Sequence, residues 1–514
     1  MKRRSFIRQL THGIALPGAL GAMGFRMPGS SAFHSLLRLA NEKNRILVMI
    51  YLEGGNDGLN TVIPLDQLSN LNQVRPHVIL PDNRLHKLRQ SDVALHPALS
   101  DLAALYGEGR LQVVQNVGYP EQNYSHFRST DIWMSASDSQ QLVNSGWAGR
   151  YLSDTYPGYP TEYPSIDMPD PLSIEIGYGG SLLFQGPEAA MSMVISDPDF
   201  FYQLVNNEES DAPATPAGDK LRYVRLIERQ SQEYGEIVRS AGEKGSNRVA
   251  YPETFIGEQL KIVSRLIAGG LKTPIYMVRL GGFDTHDAQV DPDDHTKGEH
   301  ATLLQELNDA IKSFVQDTDL QGTSDRILGM TFSEFGRRIV SNASLGTDHG
   351  AAAPMFFFGN HLVGGVTGNN PIIPRTATYQ DNLPFEVDFR QLYASVLGQW
   401  FEADASVLNQ SLLRDFQMVP LIGTSSLLSS DQTFETQLLV YPNPLKDQAT
   451  IDCTALVGYI TVALYDYSGR LVSKVYAGPA GSKIAWNATG IRSGRYLVVA
   501  KSNNLHKTFP VIIL

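Results

Sequence analysis

The sequence predicts an α/β domain with a mostly parallel sheet flanked by helices, followed by a small C-terminal β-sandwich. Three observations predict it. The stretch "NRILVMIYLEGG" at residues 44–55 is a continuous apolar run closed by two glycines, which is how a strand buried on both faces reads. Further runs of this kind alternate with segments of helical spacing, the pattern of strand–helix–strand units. Near residue 437 the texture changes to short alternating strands separated by Pro-Asn-Pro, Ser-Gly and Asn-Asn turns, as in a sandwich.

The elements follow in order. "GRLQVVQNVGYPEQNYSHF" repeats the first pattern, a strand and then a polar turn. Residues 150–215 are rich in Pro, Tyr, Gly and Asp and predict an irregular cap or insertion. Helical spacing returns from Lys220 to Ser240, and "ETFIGEQLKIVSRLIAGGL" predicts a second amphipathic helix stopped by a glycine pair. "TPIYMVRLGGFDTH" and "DRILGMTFSEFGRR" read as strands running into loops, with a helix "EHATLLQELNDAIKSFVQD" between them. "PMFFFG" is a short apolar strand, and "DFRQLYASVLGQWF" the last helix. This places the α/β domain at residues 44–415, a Ser/Thr-rich linker at 416–436 and the sandwich at 437–514.

Bulk properties agree with two units. The 514 residues are too many for one ordinary domain, and 42% hydrophobic with 18% charged residues is a globular composition. Net charge is −11 with no basic block, which argues against nucleic acid as a partner. From Gln437 onward eight Lys/Arg face three Asp/Glu, a net of +5, so the remainder carries −16. The single cysteine, Cys453, excludes an internal disulfide and a multi-cysteine metal site. Any metal must be held by Asp, Glu, His, Asn or hydroxyl groups. Arg3 and Arg4 precede Phe6, Ile7 and a moderately apolar stretch from Ile14 to Phe25. Residues 1–32 therefore look like a twin-arginine signal peptide. No later run approaches the ~18 apolar residues of a membrane span, so no transmembrane segment is expected in the mature chain.

The chemistry-bearing residues follow the predicted strands. The first strand delivers Glu53, Asn56 and Asp57; the second delivers Asn123, Ser125, His126 and Arg128. "IYMVRL" delivers Asp284 and His286, "ILGMTF" delivers Ser333 and Glu334, and "GTDHG" adds Asp348 and His349. Open α/β sheets bind ligands at the carboxyl ends of their strands. Any one of these pairs is ordinary in a turn; their joint placement points to a metal. Clustered carboxylates repel one another unless a cation neutralises them, and Asp with His suits zinc, manganese or iron. Asp284 and His286, two apart, share one face of an extended segment.

Together "LEGGNDGLNTVIP", "SHFRSTDIW", "GGFDTH", "TFSEFGRR" and "GTDHGAAAPMFFFG" resemble, over roughly residues 44–400, the bacterial family known as domain of unknown function 1501. That family is grouped with the alkaline phosphatase superfamily, which includes sulfatases. The resemblance implies an alkaline phosphatase-like fold, one or two divalent ions, and hydrolysis of phosphate or sulfate esters. On that reading Asp57, Asp284, His286, Asp348 and His349 are metal ligands. Ser125 is the candidate nucleophile, with His126 and Glu334 beside it on the catalytic side. Arg128 is placed to hold an anionic oxygen. Two departures stand out. Pro354 and Met355 occupy positions where relatives carry histidines, and no Cys-x-Pro-x-Arg sulfatase nucleophile is present. They motivate an alternative, a catalytically inactive cell-surface binding or structural protein that keeps the fold.

"VYPNP", "LYDYSGRLV" and "SGRYLVV" resemble the C-terminal sorting domain of the type IX secretion system of Bacteroidota. With the twin-arginine-like start, the expected partners are those two export machineries and an anionic ester substrate. The expected location is the periplasm and then the cell surface or the extracellular space.

Overall fold

The structure, a computed structural model, describes residues 44–177, 179–196, 233–423 and most of 439–513. The twin-arginine-like start, most of the helix expected from Lys220 and the greater part of the linker lie outside the described residues; residues 233–244 are helical. The chain divides into two compact units, one ending at Thr424 and one beginning at Ser425.

The strands of the first unit that matter for the site are, in chain order, β1 (Ile46–Glu53), β2 (Leu111–Gly118), β3 (Ser173–Ile176), β4 (Met193–Ile195), β5 (Ile275–Gly281) and β6 (Ile327–Phe332). They continue with β7 (Arg337–Ser341), β8 (Thr347–His349), β9 (Ala353–Gly359), β10 (Gly365–Thr367) and β11 (Val387–Asp388). Nine of them form one sheet in the order β10-β2-β9-β6-β1-β5-β3-β4, with β11 beside β2. β1 pairs in parallel with both β5 and β6, in the register Met49↔Met277 and Met49↔Met330. Only β9 runs against its neighbours β2 and β6. The mostly parallel sheet is thus as the sequence predicts, and the exception has a cause. Only 20 residues, 333–352, connect β6 to β9, and they form the β7–β8 hairpin rather than the crossover helix a parallel return needs.

β1 reads as unbroken apolar sequence because both of its faces are covered. Leu47, Met49 and Tyr51 enter one core with Trp133, Trp147, Phe389 and Trp400. Ile46, Val48, Ile50 and Leu52 enter the other. The first core is closed by helices α1 (His126–Ser135), α2 (Trp147–Thr155) and α5 (Phe389–Ser395); the second by α3 (Phe255–Ala268) and α4 (Glu299–Gln321). α3 shows why such segments form and dock. Thr254 caps it by accepting the Gly257 N–H (3.2 Å). Ile256, Leu260, Val263 and Ile267 then fall on one buried face.

The stretch 150–215 departs from the irregular cap expected of it. Part of it extends the main sheet as β3 and β4, both parallel. The polar letters of "SIEI" conceal a strand, because buried Glu175 is satisfied by the Ser181 N–H (3.0 Å) and the Ser192 hydroxyl (2.9 Å). The "GTDHG" segment also differs from a bare loop, since β8 pairs with β7 through Arg337↔His349 and Ser341↔Thr347.

The second unit holds small antiparallel sheets of three and four strands. Val440, Ile451 and Trp486 from one, and Val462, Leu464, Val498 and Val511 from the other, share one core.

Candidate metal centre

Four segments reach one point at the carboxyl end of the sheet: residues 54–55 after β1, 282–286 after β5, 333–336 after β6, and 124–126 at the start of α1. The β7–β8 hairpin closes over them. Close approach requires glycine at two places. Gly54 has φ +122°, and a Cβ there would lie 2.4 Å from the Asp284 nitrogen. A Cβ on Gly346 would lie 2.3 Å from the His286 carbonyl oxygen.

Three imidazoles meet there, and their tautomers follow from their partners. His286 Nδ1 lies 3.1 Å from Asp348 Oδ1, His349 Nδ1 2.9 Å from the Tyr124 carbonyl, and His126 Nδ1 2.8 Å from Glu334 Oε1. Carboxylates and carbonyls only accept, so each Nδ1 donates, and each neutral ring keeps a bare lone pair on Nε2. Those lone pairs converge. His286 Nε2 is 2.9 Å from His349 Nε2. Asp284 Oδ1 is 3.0 Å from His349 Nε2 and 3.1 Å from His286 Nε2. On the other carboxylate oxygen, Oδ2 is 3.4 Å from His126 Nε2, which is buried without a hydrogen-bond partner. Ligand atoms of His126, Asp284 and His349 lie within 4.8 Å of one another. Lone pairs packed this closely repel unless a metal ion or a proton lies among them. A second nitrogen anchored on a carboxylate or carbonyl is the usual arrangement of a metal-binding histidine. The donor set therefore fits a divalent ion.

Electrostatics supports the same arrangement. Desolvation pushes the Asp284 carboxyl up, but the hydrogen bond and positive charge of Arg337 overcome it and bring it down to about 2. For Asp348 too, burial raises the carboxyl, and the bonds from His286 and Asn342 lower it more. The hydrogen bond to Glu334 raises the His126 imidazole, whereas burial lowers that of His349.

Of the residues singled out in the sequence, Asp284, His286, Asp348, His349, His126 and Glu334 come together. Asp348 and Glu334 are placed to orient histidines. Glu334 is fully buried and also accepts the Gly54 N–H (3.0 Å). Asp57 is engaged differently: its Oδ2 receives the Arg75 guanidinium and the Gln289 amide (2.6 Å), its Oδ1 is buried without a hydrogen-bond partner, and both Asp57 and Arg75 are buried. Arg128 donates to the carbonyls of Asp138, Ser139 and Gln141 at 3.3, 3.0 and 2.7 Å, not toward the cluster. Ser125 is the exposed N-cap of α1, and its hydroxyl makes no hydrogen bond among the described residues. It stands between Tyr124 and His126, both of which touch the cluster.

Sequence reasoning missed Arg337. Its buried guanidinium donates to the carbonyls of Gly55 (2.7 Å), Thr347 (2.8 Å), Gly54 (2.6 Å) and Phe283 (2.8 Å), and to Asp284 Oδ1 (2.7 Å). The only signal in the sequence is "EFGRR", where either arginine could be the buried one. Replacing Gly346 by alanine is expected to displace the His286 loop and weaken metal affinity about tenfold or more, as losses of supporting contacts do. A competition titration with a coloured chelator checks this.

Residues 208–412 match the family model described as protein of unknown function (DUF1501), and residues 439–514 match that of a secretion system C-terminal sorting domain. The first match includes "GGFDTH", "TFSEFGRR" and "GTDHG" and leaves out the two earlier blocks. The second indicates export. No helix among the described residues is long and apolar enough to cross a membrane. No curated protein matches the chain. Among solved structures the chain is similar to the PsFucS1 sulfatase from Pseudoalteromonas sp., with 12% identity, 90% of this chain and 88% of that chain covered, and a TM-score of 0.32. For a protein in the alkaline phosphatase superfamily from Vibrio parahaemolyticus the values are 8%, 90%, 82% and 0.32. For the phosphonate monoester hydrolase SpPMH from Silicibacter pomeroyi they are 9%, 91%, 88% and 0.30.

Proposed function

We propose that the chain is an exported, metal-dependent hydrolase of phosphate or sulfate esters. The observation that carries this is the convergence of three Nε2 lone pairs on the Asp284 carboxylate. His126, Asp284, His286 and His349 are the ligands in this reading. Glu334, Asp348 and the Tyr124 carbonyl fix the rings that hold them. The donors suit zinc, manganese or iron. A divalent ion held by these residues would supply charge neutralisation at the ester oxygens and would ease deprotonation of an oxygen nucleophile near neutral pH. Engagement of the Asp57 Oδ2 by Arg75 supports a single ion in this reading.

Ser125 supplies the nucleophile. Its hydroxyl is free and exposed, and it stands at the N-terminus of a ten-residue helix, where anionic groups are favoured. Attack forms a bond from its oxygen to phosphorus or sulfur and breaks the bond to the departing alcohol, which leaves with a proton. Water then releases the phosphate or sulfate and restores the serine. The twin-arginine-like start supports export of a folded chain that has already taken up its metal, and the sorting domain supports passage to the surface of a Bacteroidota cell.

One observation favours a second reading. Arg128, the arginine proposed for the anionic oxygen, is held by three carbonyls, as expected if the fold persists as a binding protein without turnover. Hydrolysis of aryl phosphates and aryl sulfates by the metal-loaded protein separates the two. Ser125→Ala is expected to lower kcat on the order of 10²-fold or more at unchanged metal content, as loss of a nucleophile does. An inert wild-type protein carrying its full metal complement moves the conclusion to the binding protein.

A further inference from the structure

Beside the cluster opens a cleft of about 590 Å³, a size that holds a small organic molecule. His126, Asp284 and Glu334 form one end, and Tyr51, Glu53, Phe127 and Asp131 form its walls. Three features stand out. None of the lining residues is lysine or arginine. The exposed carboxylates of Glu53 and Asp131 make no hydrogen bond or ion pair among the described residues. Phe127, next to His126 on α1, is 87% exposed and adds an aromatic ring to the cleft wall. Arg279 lies 5.9 Å from the Tyr51 ring, with its guanidinium 3.6 Å from Glu175.

Resting on the reading above, which seats the ester's anionic group at the cluster, we infer that this cleft receives the alcohol portion of the ester and that this portion carries a protonated amine. A sulfated or phosphorylated polymer running through the cleft would bring further anions against Glu53 and Asp131, with no lysine or arginine in the lining to offset them. An ammonium group gains from both carboxylates and from the faces of the aromatic rings. Amino sugars and small amino alcohols share this chemistry.

Matched esters test it and tell the two sources apart. Glucosamine 6-phosphate and glucose 6-phosphate differ only by an ammonium in place of a hydroxyl, as do phosphoethanolamine and ethylene glycol phosphate. The first pair is also run as sulfates. The amine is expected to raise kcat/KM roughly threefold to tenfold at low salt, the range of a pair of screened contacts. The preference should shrink toward unity at high salt and in Glu53→Gln/Asp131→Asn, with metal content unchanged. A preference in the sugar pair alone assigns an amino sugar, and one in the short pair alone an amino alcohol. Calorimetric binding of both pairs to Ser125→Ala reads the same preference without turnover, so an inert enzyme contradicts the proposed hydrolysis and leaves the cleft assignment to be decided by binding. Equal kcat/KM and equal affinity within both pairs would overturn the inference. So would turnover of an aryl phosphate with neither pair bound, or loss of metal from the double variant, which would make the two acids ligands.

Discussion

Arg337→Met is expected to melt several degrees below the wild-type protein. The methionine replaces the aliphatic stem but leaves the carbonyls of Gly54, Gly55, Phe283 and Thr347 without their buried donor. Each unsatisfied buried acceptor costs about 1–3 kcal/mol. Even with partial relaxation the total is on the order of 4 kcal/mol, among the largest single-residue effects, or a melting point lower by roughly 5 °C for a unit of this size. Arg337→Lys keeps the charge but cannot reach three chain segments at once, and should fall between the two. Differential scanning calorimetry of the three proteins checks this. A methionine variant melting within ~2 °C of wild type would mean that the guanidinium does not hold the loops together.

The second large effect separates two aspartates that look alike in the sequence. Asp284→Asn keeps the shape of the side chain but removes the carboxylate on which the three histidines converge. Arg337 retains its four carbonyl partners, so the variant should fold. Its metal affinity is expected to drop about 100-fold or more, and hydrolysis with it. Asp57→Asn should do the reverse. It removes the charge opposite buried Arg75 and is expected to cost on the order of 3–5 kcal/mol of stability, as breaking a buried pair does, while metal affinity changes little. Chelator competition and calorimetry on both variants give the comparison. Metal lost from Asp57→Asn at intact stability would return Asp57 to the ligand set.

These two aspartates also mark how far the sequence could be read. Both follow a buried strand and a glycine pair, so local pattern treats them equally. What separates them is Arg75, 18 residues further on, and Gln289, 232 residues away, neither of which periodicity can pair with Asp57. Asp284 and His286 were legible as neighbours of the site because they follow a strand of the open sheet. The supporting contacts were not. That Glu334 holds a histidine, that Asp348 turns His286, and that Arg128 faces carbonyls all depend on side-chain direction after a turn. The sheet itself was legible from its apolar runs. β3 was hidden because its buried Glu175 is satisfied by the Ser181 N–H and the Ser192 hydroxyl, partners that only the folded chain supplies.

Metal content tests the central claim most directly. The purified protein is reloaded with zinc, manganese or iron(II), dialysed, and analysed by inductively coupled plasma mass spectrometry beside the Asp284→Asn and His349→Ala variants. Retention of about one ion per wild-type chain, lost in both variants while they remain folded, is the predicted result. A folded wild-type protein that retains no metal, or variants that retain as much as it does, would contradict the account.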